Sequence, residues 1–437
     1  YFVGSKLENA TSNAILNFPS YNHIGGLVGH SFSPNPSFLN LTHNRNVTGN
    51  ANVGGIVGGT TDAGQTFSNC VYAGVVTGSG ANVGGLVGNV GNNATFNLNS
   101  RTSGTVSGTS TIGGLVGTAG NNLTIASVSS TANVSGTSSI GGLVGTTGTG
   151  LNANTITSSG QVSGTSTSIG GLFGYIGANS AVVSSSSTGA VSGAGYVGGI
   201  VGQSRGNVDL TDVYATGNIT STGDYAGGVD GGSDQTGRDL TRVYATGHVT
   251  GAQFVGGLSG RVHGNVTQSF ALGNVTSSGI RSGGITGYQG AGYIEATFAT
   301  GVIKGTERVG GLVGDAQSGA ATIRHSYFTG TVIRATGGAA NDRFGPIVGL
   351  RAANDRVQTA SSFWRGDGSS IVRNEADLSV YAGANSLGTV KTTTNMALEA
   401  QLSPLDFGGT VWKMPAATYK LPGQSAVYSF PIFVWMN

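Results

Sequence analysis

Val53-Gly54-Gly55-Ile56-Val57-Gly58 is preceded by Ile24-Gly25-Gly26-Leu27-Val28-Gly29 and followed by Val83-Gly84-Gly85-Leu86-Val87-Gly88. The same pair returns at Gly113-Gly114, Gly141-Gly142, Gly170-Gly171, Gly198-Gly199, Gly227-Gly228, Gly256-Gly257, Gly283-Gly284 and Gly310-Gly311, and degenerates at Phe344-Gly345-Pro346-Ile347-Val348-Gly349. A spacing of about 28 residues lies in the range of solenoids and propellers. A propeller blade needs four antiparallel strands in about 40 to 50 residues, so the shorter period favours a solenoid.

Between the pairs lies a second recurring run. Tyr214-Ala215-Thr216-Gly217-Asn218-Ile219-Thr220 matches Tyr244-Ala245-Thr246-Gly247-His248-Val249-Thr250, and Phe298-Ala299-Thr300-Gly301-Val302-Ile303 is close to both. Short β-branched runs punctuated by Gly, Ser, Thr and Asn read as strands and turns. Glycine disfavours helix by about 1 kcal/mol per interior site. One unit of two or three short strands buries too little alone, and stacked units share a core. The fold class expected is therefore all-β, a parallel β-helix (β-solenoid) of about 12 coils with a C-terminal capping region. Residues 1–20 read as a lead-in, 21–360 as the repeats and 361–437 as the cap.

Composition agrees. Of 437 residues, 80 are glycine and 8 proline, which is wrong for collagen. Only 9% are charged, while branched apolar residues recur throughout, which is wrong for disorder. The net charge of +2 is spread thinly, with no basic run to follow a phosphate backbone, so no nucleic-acid partner is expected. Cys70 is the single cysteine and is expected to fill the core. The chain opens at Tyr1 without a leader, which reads as a processed protein or a piece of a longer one. No apolar stretch reaches the roughly 18 residues of a membrane span.

The Gly-Gly unit resembles the GLUG motif of bacterial surface adhesins and filamentous-haemagglutinin-like exoproteins. Thr392-Thr393-Thr394-Asn395-Met396, Leu405-Asp406-Phe407, Val411-Trp412-Lys413 and the run from Phe430-Pro431 to Trp435 look like the closing segment that follows such repeats. The resemblance implies a right-handed β-helix, an extracellular or cell-surface location and no catalytic residue. Departures fall at Val229-Asp230-Gly231 and at Pro346.

Strand alternation assigns sides. Val213, Ala215 and Ile219 share one parity, taken as the core. That places an aromatic row outside: Tyr214, Tyr244, Phe270, Phe298, Tyr327 and Phe363, a candidate platform for sugar rings. An internal stack created by a bend at the glycine is the alternative. In the Gly-Gly strand, strict alternation puts Val83, Gly85 and Val87 on one face and Leu86 on the other. Either a bulge turns both branched residues inward, or Leu86 and its equivalents form an exposed ridge.

Charge is concentrated in Asp209, Asp212, Asp224, Asp230, Asp234 and Asp239. Asp209 and Asp239 occupy equivalent positions in successive repeats, as calcium ligands or an acid/base pair would. The plainer arrangement is a solvated, partly paired patch, since no loop has Asp-x-Asp-x-Asp spacing. His23, His30, His43, His248, His263 and His325 show no zinc-type spacing. No cofactor is expected. The run 428–435 is expected to cap the stack, or to be lent to a neighbouring subunit in a fibre, with 1–18 as the corresponding run at the other end. The function read from the sequence is a structural or adhesive surface protein. A carbohydrate-binding β-helix is the second reading and a glycan-cleaving enzyme the third.

Overall fold

The computed structural model describes residues 1–233, 235–317, 322–336 and 343–351, with shorter pieces at 362–365, 372–374, 389–391, 412–413 and 432–436. Parallel strands stack into a β-solenoid of about 11 turns with essentially no helix. Among the described residues, no helix is long and apolar enough to cross a membrane. The chain divides into two compact units, Tyr1–Ser221 with Asp230–Gln235, and Thr222–Val229 with Thr236–Asn437.

One coil of the first unit shows the plan. Ser110–Gly113 forms a short strand, the chain turns at Gly114 and Leu115, and Val116–Ala119 forms the next. A longer face follows, with Thr124–Ser130 and then Asn133–Gly136. Each strand pairs in parallel with its counterpart one repeat away, so like residues form columns. Ile24, Val53, Val83, Ile112, Ile140, Ile169 and Val197 make one such column. Val28, Val57, Val87, Val116, Val144, Phe173 and Val201 make another. Inside the same unit Phe38, Phe67 and Phe96 stack face to face, with centroids 4.8 and 4.6 Å apart. The second unit repeats the plan, with Leu240 in register with Val266, and Ile294 with Ile323.

The Gly-Gly pair is a corner, not the middle of a strand. Val83, Leu86 and Val87 are all fully buried, as are Leu115, Leu143, Leu172 and Leu312, so among the described residues they form no exposed aliphatic ridge. Strict alternation fails because Gly85 and Leu86 lie between two strands that belong to different sheets. The Leu86 carbonyl accepts from both the Ile56 and Val57 amides, at 2.9 and 3.0 Å, which fastens the corner to the coil before it.

Space explains the glycines here. A Cβ on Gly85 would lie 1.9 Å from the Gly114 carbonyl oxygen and 2.9 Å from the Thr102 side chain. The facing sheet sends one inward residue to each second glycine: His43 to Gly26, Tyr72 to Gly55, Ser130 to Gly114, Ser158 to Gly142, Ala271 to Gly257 and Phe328 to Gly311.

Other corners use left-handed backbone, φ being positive at Thr111, Asn122 and Ser127 in the coil above. Asparagine recurs at such positions because its side chain tolerates this conformation. Stacked copies then bond to one another: Asn40 Nδ2 donates to Asn9 Oδ1 at 2.9 Å, Asn69 Nδ2 to Asn40 Oδ1 at 3.0 Å and Asn82 Nδ2 to Asn52 Oδ1 at 2.8 Å.

The two departures from the repeat are accommodated differently. Asp230, in register with Val201, is buried and accepts the Gly232 amide at 3.1 Å. Pro346 replaces a second glycine whose amide elsewhere donates to the next coil, as Gly311 does to the Gly345 carbonyl at 3.1 Å. Proline has no such donor.

Two predictions follow from this packing. Gly114→Ala would bring a methyl within 2.1 Å of the Gly142 carbonyl oxygen, so it should destabilise its coil. The expected cost is about 1–3 kcal/mol, read as faster amide exchange over residues 110–145. Burial lowers the imidazole pKa of His23, His30 and His43, all in the first coils, and for His30 the neighbouring His23 adds to the effect. The unfolded chain therefore takes up protons first. Stability from these groups is complete above about pH 6.5 and is lost as pH falls from there towards the folded-state values. Amide exchange over residues 24–60, corrected for intrinsic rates, should speed up selectively between pH 7.5 and pH 5.

Candidate functional site

The aromatic row does point outward. At the equivalent position of the first unit Arg101 and Thr157 are exposed, while the inward neighbours Thr102 and Ser158 are buried. In the second unit the rings form a continuous stack. Tyr244 and Phe270 are 4.8 Å apart, Phe270 and Phe298 4.9 Å, and Phe298 and Tyr327 5.0 Å, all within 4° of parallel. Phe363 continues the register beside Tyr327 through its backbone.

Yet the exposed platform expected from the sequence is largely covered. Phe270, Phe298 and Tyr327 are fully buried, while Tyr214 and Tyr244 are half-exposed. The cover comes from the C-terminal end. Ile432–Phe433 pairs antiparallel with Trp412–Lys413 and runs into a single 3-10 turn, Val434–Met436. Phe433 lies 5.6 Å from Phe298, and Trp435 lies 6.1 Å from Phe270. The described part of the expected capping strand thus lies on the flank of the coils, because an outward aromatic stack offers it more apolar contact than solvent does. Residues 392–396, 405–407, 411 and 428–431 lie outside the described residues.

The acidic residues do structural work where their contacts are resolved. The Asp239 carboxylate accepts the Asn265 amide at 2.8 Å and its side-chain amide at 3.3 Å. Asp209 belongs to the first unit and Asp239 to the second, and Asp234 lies outside the described residues. Among the described residues, no three His, Cys, Asp or Glu side chains converge as a metal site would require. Cys70 is fully buried, with its Sγ 3.4 Å from the Phe38 carbonyl oxygen, and burial pushes its thiol up to about 11.

The more informative surface lies outside the Gly-Gly corner. Each repeat places a left-handed residue two positions before the first glycine and a strand residue seven positions further on. In the first coils these are His23 and His30, whose Nδ1 atoms are 2.9 Å apart. In the next coils they are small or amide-bearing, such as Asn82 with Asn89 and Thr111 with Thr118. Thr118 Oγ1 donates to Asn82 Oδ1 at 2.7 Å.

In the second unit the same positions carry Phe254 and Arg261, Arg281 and Tyr288, Arg308 and Asp315. Asp315 is fully buried. Its Oδ2 accepts from Arg281 Nε and Arg308 Nη1, each at 2.9 Å, and its Oδ1 accepts from Gln317 at 2.7 Å. Glu307 accepts from Arg308 Nε at 3.0 Å. Burial works against the Arg308 charge, but the bonds and attraction of Asp315 and Glu307 outweigh it and hold the guanidinium above its ordinary range. Arg281 lies 4.6 Å over the Phe254 ring, and Arg261 lies 5.3 Å over Tyr288. The sequence reading missed this cluster. Aligning the residues that flank each Gly-Gly pair would have exposed it.

Parallel in-register coils, a glycine corner in each and variable side chains outside it define a repeat β-solenoid protein. More narrowly, residues 305–333 match the family described as the GLUG motif, and that stretch includes Arg308, Gly310, Gly311 and Asp315. The chain is also 38% identical over 103 residues to Halomucin of Haloquadratum walsbyi (strain DSM 16790 / HBSQ001), a match covering 23% of this chain and 1% of that protein. No solved structure matches it.

The cover over the aromatic row is testable. Phe433 is fully buried, so Phe433→Ala combined with Trp435→Ala should uncover Phe270 and Phe298. Binding of a hydrophobic dye should rise and proteolysis near the C-terminus should accelerate, with the coil columns of the first unit unaffected.

Proposed function

We propose that the chain is an extracellular structural and adhesive surface protein, a solenoid that holds its outer side chains at fixed intervals for attachment. The observation that carries this reading is the division of labour within each coil. The glycine corner repeats almost unchanged and the inward columns stay mostly branched and apolar, with Asp230, Ser259, Ser282 and Thr286 as buried exceptions, while the outer positions vary from His-His to Thr-Thr to Arg-Asp. A scaffold presenting exchangeable contacts has this pattern. An enzyme would concentrate departures from the repeat at one reacting centre. The scarcity of charge, at 9% of residues, suits a surface wetted by Ser, Thr and Asn. The GLUG motif and the partial likeness to Halomucin support a surface location.

A glycan-binding role through the aromatic row has weaker support, since among its described side chains the reachable part is Tyr214 and Tyr244. Catalysis by Asp209 and Asp239 has none beyond their equivalence in the repeat, because Asp239 is already engaged with Asn265. Intact cells producing the protein should lose it to added protease and attach less well once it is shaved off. Recovery of uncut protein solely after lysis would overturn the surface reading. Polysaccharide turnover abolished by Asp239→Asn would replace it with the enzymatic one.

A further inference from the structure

Two guanidinium groups, on Arg281 and Arg308, meet on the Asp315 carboxylate, and Glu307 takes a further bond from Arg308. One buried carboxylate would be satisfied by a single guanidinium and a hydrogen bond or two. Here it aligns two guanidinium groups at once. Arg281 is engaged through Nε, and Arg308 through Nε and Nη1. Both terminal amines of Arg281, and Nη2 of Arg308, have no partner among the described residues, and both side chains are 20% exposed.

These donors are also held still. Asp315 fixes one edge of each guanidinium, and Phe254 lies against the face of Arg281. A rigid fork of N–H donors matches the paired oxygens of a carboxylate or sulfate, and pre-ordering lowers the cost of binding. Partial burial strengthens the attraction relative to open water.

The two arginines come from successive coils, about 4.8 Å apart along the stack. A partner with negative groups at intervals along a chain would meet them in turn. We propose that Arg281 and Arg308, held by Asp315, form a binding subsite for the carboxylate or sulfate groups of an acidic polysaccharide. The choice of a glycan over another polyanion rests on the surface reading above, and on a net charge of +2 with no basic run suited to nucleic acid. The subsite itself rests on the geometry alone.

The test is binding of the full chain to immobilised polygalacturonate, dextran sulfate, neutral dextran and double-stranded DNA at low and high salt. Retention on one or both acidic glycans and not on dextran is expected. The preferred acidic glycan would separate carboxylate from sulfate as the recognised group. Binding should weaken as salt rises. Arg281→Gln and Arg308→Gln should each weaken binding about tenfold, as loss of a charge-assisted hydrogen bond does. Lys6→Gln, the same change of charge in the first unit, should leave binding unaltered. Arg281→Lys keeps the charge without the fork and should recover little. Unchanged circular dichroism and melting would certify that each variant folds. Failure to retain either acidic glycan, equal binding by all the variants, or a preference for DNA would overturn the proposal. Protease shaving of cells reads the surface location separately, so the two ideas fail independently.

Discussion

The corner at each Gly-Gly pair is the constraint from which the rest of the architecture follows. Successive coils approach so closely there that the second glycine faces a carbonyl oxygen of the next coil on one side and an inward side chain from the opposite sheet on the other. Any Cβ would push the coils apart and break the ladders above and below. With the corner fixed, the branched residues on either side of it have one place to go, the interior, and each becomes a step in a column. The inward residue opposite can then range from serine to phenylalanine without altering the path of the chain, as Ser158 and Phe328 show.

What the sequence made legible was whatever repeats locally. The period located the coils, and alternation around Ala215 and Ala245 put the aromatics on the correct side. It misled at Leu86, because alternation presumes an unbroken strand and the chain turns between Gly85 and Val87. It could not foresee the burial of Phe270 and Phe298, since their cover arrives from Phe433 and Trp435, far along the chain and outside the repeat. The left-handed corners were visible where Asn occupied them and hidden where Tyr225, Arg281 or Arg308 did, as those residues seldom adopt that backbone.

The candidate site was less legible than the fold for a related reason. Scarcity of charge drew attention to the aspartates between Asp209 and Asp239, yet those with resolved contacts cap or bridge backbone. Asp315 looks unremarkable in the sequence. Its importance comes from the superposition of successive repeats, which brings Arg281 and Arg308 onto one carboxylate. In a stacked fold, residues one period apart are nearer neighbours than residues a few places apart, so local motif spacing is the wrong ruler.

In-register pairing has a further implication for how such a chain changes over generations. The strand ladders join each described coil to the copies immediately before and after it and are almost the same at successive junctions. Duplication or deletion of one whole period would rejoin compatible edges, whereas an insertion of a fraction of a period would throw every later side chain onto the wrong face. Variation in length by integral steps, with the outer residues of each inserted segment arriving as a ready-made cassette, is the route this geometry leaves open.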